Sequence, residues 1–226
     1  MKKVAVLLAG CGVYDGSEIH ETVFALLALD QMGIGYQCVA PNRIQHHVID
    51  HTTGEETPEA RNILVESARI ARGDIQSLDL VQISEFDGLL IPGGFGAAKN
   101  LNQWALAGPE GTVFEDVQAL ISNFHAANKA ICGLCMGPTV IGQALAAHKG
   151  ITLTMGSTQE KSPYDIQGIA QGLQSLGVGI QEASLKEICV SEETKIVSAP
   201  CYMMEGSIKD IHANVVQAVS AFAKLL

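Results

Sequence analysis

No uninterrupted apolar run in this chain reaches the ~18 residues that a bilayer-spanning helix needs. Basic residues are scarce as well. Fourteen Lys and Arg stand against 24 Asp and Glu, a formal net charge of −10. A surface of that sign repels phosphates, which excludes nucleic acid as the expected partner, just as the short apolar runs exclude a membrane. The first apolar run begins at Val4 and stops at Gly10. It is too short for a signal-peptide core and has no cleavage site, so the expectation is a cytoplasmic chain without a targeting segment. Repeats, low-complexity tracts and an interdomain linker are also lacking. No G-K-[ST] sequence completes a phosphate-binding loop.

What is present suits one globular domain spanning residues 1–226. The chain is 47% hydrophobic and 17% charged, and its length is that of a single large α/β unit. Its six cysteines, Cys11, Cys38, Cys132, Cys135, Cys189 and Cys201, are scattered. A core of this size needs no disulfide staples, and they read as thiols in a reducing compartment.

Val4 to Ala9 is continuously apolar, as a strand buried on both faces requires. A Gly-rich turn from Gly10 to Gly16 follows. Ser17 then reads as a helix cap, with Glu18 in the first turn and Val23, Phe24, Leu26, Leu27 and Met32 as the buried stripe. Tyr36 to Ala40 is a second strand. Residues 42–80 are less regular and read as an insertion. It contains a helix from Pro58 to Ala71 and a charged face of Arg61, Glu66, Arg69 and Arg72. Further strands are expected at 89–91, 130–134, 151–155, 188–190 and 196–198. Helices are expected at 113–128, 138–147, 166–176 and 208–226. Alternating strands and helices predict an α/β fold: one doubly wound, mostly parallel sheet with helices on both faces. Ligands of such sheets sit beyond the carboxyl ends of the strands, so the loops after Ala9, Ile91 and Leu134 should converge.

The segment Ala130-Ile131-Cys132-Gly133-Leu134-Cys135-Met136-Gly137-Pro138 carries the strongest chemical signal. A buried strand runs into a cysteine and a helix begins within three residues, the layout of a nucleophile elbow with sulfur as the nucleophile. The helix N-terminus facing Cys135 favours its thiolate. A core cysteine at a strand end would fit the same spacing. Cys132 falls inside the strand, so a redox dithiol is the lesser reading of the C-x-x-C. In Pro92-Gly93-Gly94-Phe95-Gly96, adjacent glycines let backbone N–H groups approach a ligand, as an oxyanion hole requires. Glu18 and Glu21, three apart, lie on one helix face. A carboxyl buried near a thiolate would stay protonated and could shuttle protons. His46, His47 and His51 with Asp50 read as surface residues and not as a metal site. His20 is expected to point away from Glu21, and His125 to be solvated.

These motifs together resemble the class I glutamine-amidotransferase-like superfamily, in the branch of the PfpI-type proteins and the Parkinson-associated deglycase. Leu8 to Glu21, Pro92 to Leu101 and Ala60 to Arg69 are more specifically similar to the ElbB family, also called ES-one-like. The resemblance covers essentially the whole chain and implies a flavodoxin-like fold. It implies that Cys135 is the elbow cysteine and that Glu21 hydrogen-bonds it. The backbone amides of Gly94 and Met136 would hold an oxyanion, and Glu18 would adjoin the substrate. It further implies a cofactor-independent glyoxalase, a lyase-type enzyme working as a homodimer on a small aldehyde and turning glyoxal into glycolate. The histidines depart from the pattern. Deglycase-like members place one where this chain has Met155-Gly156-Ser157. The amidotransferase His-x-Glu gives way to Ser198-Ala199-Pro200-Cys201-Tyr202. Glutamine hydrolysis is therefore not expected. The competing reading is a non-enzymatic redox-sensing or stress-response protein with an oxidisable Cys135.

Overall fold

Apolar runs flanked by turns became strands wherever both faces could be covered. In the computed structural model, which describes residues 1–226, the chain runs β1 (Lys3–Leu7), α1 (Ile19–Gln31), β2 (Gly35–Ala40), β3 (Val48–Ile49), β4 (Glu56–Thr57), α2 (Ile63–Ile70) and β5 (Ile75–Ser77). It continues through β6 (Gly88–Ile91), α3 (Trp104–Ala107), α4 (Glu115–Ala126), β7 (Ala130–Leu134) and α5 (Gly137–Ala144). The remainder is β8 (Thr152–Leu153), α6 (Ile166–Ser175), β9 (Gly179–Ile180), β10 (Cys189–Ser191), β11 (Ile196–Ala199) and α7 (Ile208–Ala223).

Seven strands form the main sheet in the order β10-β11-β7-β6-β1-β2-β5. All pairings are parallel except β10 with β11, which is an antiparallel hairpin. β1, β6 and β7 stand at the centre, and their residues are almost entirely buried. This is the doubly wound, flavodoxin-like α/β fold that the alternating pattern predicts. The carboxyl ends of β1, β6, β7 and β11 lie side by side, which brings their following loops to one edge.

Several local expectations are corrected. Ser17 does not cap α1. Glu18 does, accepting from the Glu21 N–H at 2.7 Å, while the Ser17 hydroxyl accepts from the Ala9 N–H at 2.8 Å. The buried face of α1 is Glu21, Thr22, Ala25, Ala28 and Leu29, whereas Val23 and Leu27 are 45% and 42% exposed. Small residues win the inner face because α1 packs against α7 as well as the sheet, and close approach there favours Ala over Leu.

Residues 42–80 are more integral than an insertion would be. β5 pairs with β2 and forms the sheet edge, and Ile63 and Leu78 join the core. The helix begins at Ile63, capped by Asn62, and not at Pro58. Its charged face is partly inward. Glu66 is buried, held by Arg69 Nε at 2.9 Å with Arg61 Nη1 at 3.6 Å.

Candidate active site

The turn after β7 holds its cysteine in a strained backbone conformation. Cys135 has φ of 54°, a left-handed conformation that a non-glycine residue holds only when its surroundings impose it. Its N–H donates to the Ala199 carbonyl at 2.9 Å, which extends the β7–β11 ladder by one bond. α5 starts two residues later, with Pro138 in its first turn. The elbow layout read from the sequence is thus present.

Glu21 meets Cys135 from the first turn of α1. Its carboxyl is fully buried, hydrogen-bonds the Cys135 side chain, and accepts the Gly93 N–H at 3.1 Å and the Tyr202 N–H at 3.1 Å. Burial, and then the negative charge of Glu18, push Glu21 up from 4.5 to about 8, against three hydrogen bonds that pull the other way. At neutral pH it is mostly a protonated acid. The loop after β6 closes the arrangement. A Cβ on Gly93 would lie 2.4 Å from Cys135 Cβ and 2.7 Å from its sulfur, so only glycine lets this loop pass. Gly94 has φ of 91°, and its N–H, like that of Met136, is directed at the Cys135 sulfur.

The thiol differs from expectation. Cys135 is only 4% exposed. Burial pushes its thiol up, the Glu21 charge pushes the same way, and the Gly94 and Met136 N–H groups pull it down without winning. The resting sulfur is therefore a thiol and not the thiolate that the helix N-terminus alone favours. A helix dipole offers at most ~2 kcal/mol, less than taking a thiolate out of water costs. Cys132 is fully buried in β7, as its place in the strand required, and carries no dithiol chemistry.

Beside this cluster, joined to it through Glu18 and Tyr202, lies a cavity of about 600 Å³ that Cys135 and Glu21 do not themselves line. Glu18 and Tyr202 line it, together with Tyr14, His20, Tyr164 and Glu205. The Tyr164 phenol is pushed up to about 12 by burial, then by the charges of Cys135 and Glu21. Tyr202 follows β11 at the same strand-end edge, a signal that strand-end reasoning could have used. Tyr164 sits in a loop with no such signal. His20 lines the cavity, where its Nδ1 is 2.8 Å from the Tyr202 hydroxyl. No histidine hydrogen-bonds Cys135 or Glu21.

The loop after β1 forms the Tyr14 side of the cavity. Asn100 holds it, donating to the Ala9 carbonyl at 2.8 Å and the Asp15 carbonyl at 2.9 Å. The β3–β4 hairpin supports it from behind, where the Ile49 N–H donates to Asp15 Oδ2 at 2.8 Å and the Tyr14 N–H to His51 Nε2 at 3.2 Å. Residues 42–80 thus brace the cavity without lining it. His46, His47, His51 and Asp50 do not converge on a metal site, and no group of three potential ligands forms anywhere in the chain. His125 is half-buried, edge-on to His148 with ring centroids 4.7 Å apart, where full solvation was expected. A second cavity of about 610 Å³, beside α6, shares no residue with the Cys135 cluster.

No family model matches the chain. Curated relatives do. The rat "ES1 protein homolog, mitochondrial" is 40% identical over 217 residues, covering 94% of this chain and 80% of the relative. The human "Glutamine amidotransferase-like class 1 domain-containing protein 3, mitochondrial" is also 40% identical, with 94% and 79% covered. Among solved structures, an isoprenoid biosynthesis protein with an amidotransferase-like domain from Ehrlichia chaffeensis superposes with a TM-score of 0.90 at 31% identity. That match covers 100% of this chain and 99% of the other. The relatives' mitochondrial names overturn the cytoplasmic expectation. Scattered thiols report a reducing medium, not the membrane that encloses it.

Proposed function

Because the chain belongs to the ES1 family, the ElbB-like proteins with a class I glutamine-amidotransferase-like domain, we propose that it is a cofactor-independent enzyme that isomerises and hydrates a small dicarbonyl, with glyoxal giving glycolate. The observation that carries this reading is the buried Cys135–Glu21 pair with two N–H donors aimed at the sulfur. With one proton lost, the pair holds a single negative charge that either member can take. Glu21 accepts the Cys135 proton as sulfur adds to one aldehyde carbon. The C=O electron pair becomes an alkoxide facing the Gly94 and Met136 amides. Glu21 returns the proton to that oxygen, giving a hemithioacetal. As a carboxylate it then removes the C–H proton of the same carbon, and the electron pair moves onto the second carbonyl to give an enediolate. Glu21 delivers that proton to the second carbon, and the hydroxyl proton of the first carbon passes to the second oxygen as the first becomes a C=O. The product of this shift is a thioester of glycolate. Water adds to the thioester carbonyl, the C–S bond breaks, and the thiol is restored. Hydrogen moves within the substrate, so the balance needs no cofactor and no metal.

Glutamine hydrolysis is not part of this proposal, because no histidine is within hydrogen-bond reach of Cys135 to protonate a leaving amine. The redox reading is weaker, since a buried, protonated thiol reacts slowly with peroxide. A homodimer is proposed with the enzymatic reading, and light scattering decides it. The test of function is a side-by-side assay of wild type and Cys135→Ser with glyoxal, methylglyoxal and glutamine. Glycolate or lactate should form from the dicarbonyls and fall by about 10²-fold or more in the variant, with glutamine untouched. Equal turnover by Cys135→Ser would overturn the proposal.

A further inference from the structure

The cavity beside the Cys135–Glu21 pair has a chemical character of its own. Tyr14, Tyr164 and Tyr202 line it with two carboxylates, Glu18 and Glu205, and neither Lys nor Arg contributes to its walls. Lys99 lies behind Tyr14, but its ammonium is committed elsewhere. It donates to the Tyr14 carbonyl at 3.3 Å, faces His47 Nε2 at 3.0 Å and lies 5.1 Å from the Phe95 ring centroid. Lys161 is not among the lining residues; its carbonyl accepts the Glu205 N–H at 3.0 Å.

The aromatic walls are held in place. The Tyr164 ring packs edge-on against Phe95, with centroids 5.7 Å apart. Tyr202 is fixed at both ends, its hydroxyl by His20 at 2.8 Å and its N–H by Glu21 at 3.1 Å. Glu18 is fixed at the α1 cap. Ring faces carry negative potential, and carboxylates add to it in a partly desolvated space. A carboxylate or phosphate entering here would meet like charge with no Lys or Arg to offset it, and His20, the one basic group in the lining, is already bonded to the Tyr202 hydroxyl at 2.8 Å. An ammonium group would meet three tyrosine side chains and two acids.

We propose that the substrate is a carbonyl compound that also bears a positively charged amine, primary or quaternary, held among Tyr14, Tyr164, Tyr202, Glu18 and Glu205 while its carbonyl reaches Cys135. This deepens the reading of Cys135 as the nucleophile and rests on it. Glyoxal is then a minimal substrate that uses the sulfur site and leaves the cation site idle. Two-oxo acids and phosphorylated aldehydes are excluded by charge.

Two measurements on the intact protein test the proposal. The first compares methanethiosulfonates that differ only in charge: the trimethylammonium-ethyl, the sulfonatoethyl and the neutral methyl reagent. Rates at Cys135 are read by peptide mapping, which separates label on the less buried Cys11. The cationic-to-anionic rate ratio at Cys135 should exceed that of the urea-unfolded chain by about tenfold or more, and Glu205→Gln should lower it several-fold. A ratio no greater than that of the unfolded chain overturns the proposal. The neutral reagent reports separately on the sulfur: if it fails at Cys135, the nucleophile reading is what fails. The second measurement does not depend on the sulfur. In Cys135→Ala, millimolar choline should shift the NMR signals of His20 and Tyr202, and acetate should not. Absence of choline binding overturns the cation site whatever Cys135 does.

Discussion

Replacing Glu21 with Gln tests the heart of the site through folding alone. The carboxyl is fully buried and pushed from 4.5 to about 8, by burial first and the Glu18 charge second. At ~1.36 kcal/mol per unit, that shift sets a ceiling of about 5 kcal/mol on the linked free energy. An acid whose folded value is raised binds its proton more tightly in the native state. The stability it contributes is therefore full below about pH 4.5 and is lost as pH rises through about 8. Between pH 6 and 9 the wild type should lose about 2.5 kcal/mol through this one group. The variant has nothing to titrate there, but it carries a different defect. Both Glu21 oxygens accept a backbone N–H, from Gly93 and from Tyr202. Gln offers one oxygen and turns its NH2 group against the other donor, which costs about 1–3 kcal/mol. The variant should be the less stable protein at pH 6, and the gap should close or reverse by pH 9. Urea unfolding of both proteins across that range measures it, and the other titrating groups cancel in the difference. A difference constant to about 0.5 kcal/mol from pH 6 to 9 would refute the claim that Glu21 is a neutral acid in the folded protein.

Three further outcomes are expected. For glyoxal turnover, kcat/KM should rise about tenfold per pH unit below about pH 8 and level off above it, because the working pair has lost one proton; a flat profile from pH 6 to 9 would argue against proton sharing. Gly93→Ala places a Cβ 2.4 Å from Cys135 Cβ and 2.6 Å from Glu21 Oε2. It should cost about 1–3 kcal/mol in urea titration and at least about tenfold in turnover, and full activity would mean the loop can move aside. Replacing residues 44–75 with a short Gly-Ser loop removes buried Ile63, the Glu66 ion pairs and one residue of the β5 pairing. The product should show no cooperative unfolding transition, and a folded product would mean that this segment is dispensable to the core.

The fold was legible because its central strands are covered on both faces. Only that environment selects continuous apolar runs such as Val4 to Ala9 and Ala130 to Leu134, and a parallel sheet joins them through helices of visible period. The elbow was legible for a related reason: strand, cysteine and helix lie within nine consecutive residues, so one local stretch encodes the turn. Glu21 required the resemblance, since nothing in the spacing of Glu18 and Glu21 says which of them turns inward. Geometry made the choice. Glu18 caps α1, and Glu21, on the buried face, reaches the sulfur.

The remainder is a matter of long-range encounter. A hydrophobic stripe chose Val23 and Leu27 for the core of α1, but packing against α7 reserved that face for Ala25 and Ala28. Glu66 read as a surface charge until Arg61 and Arg69 closed over it. Residue types and local order thus determined the strands, the helices and the strained cysteine turn, because those depend on neighbours in the chain. Tertiary structure alone decided that the thiol is protonated and that three tyrosines, two glutamates and His20 share one cavity beside the Cys135–Glu21 pair. Desolvation and through-space charge depend on groups far apart in the chain, such as Glu21 and Tyr202, 181 positions apart.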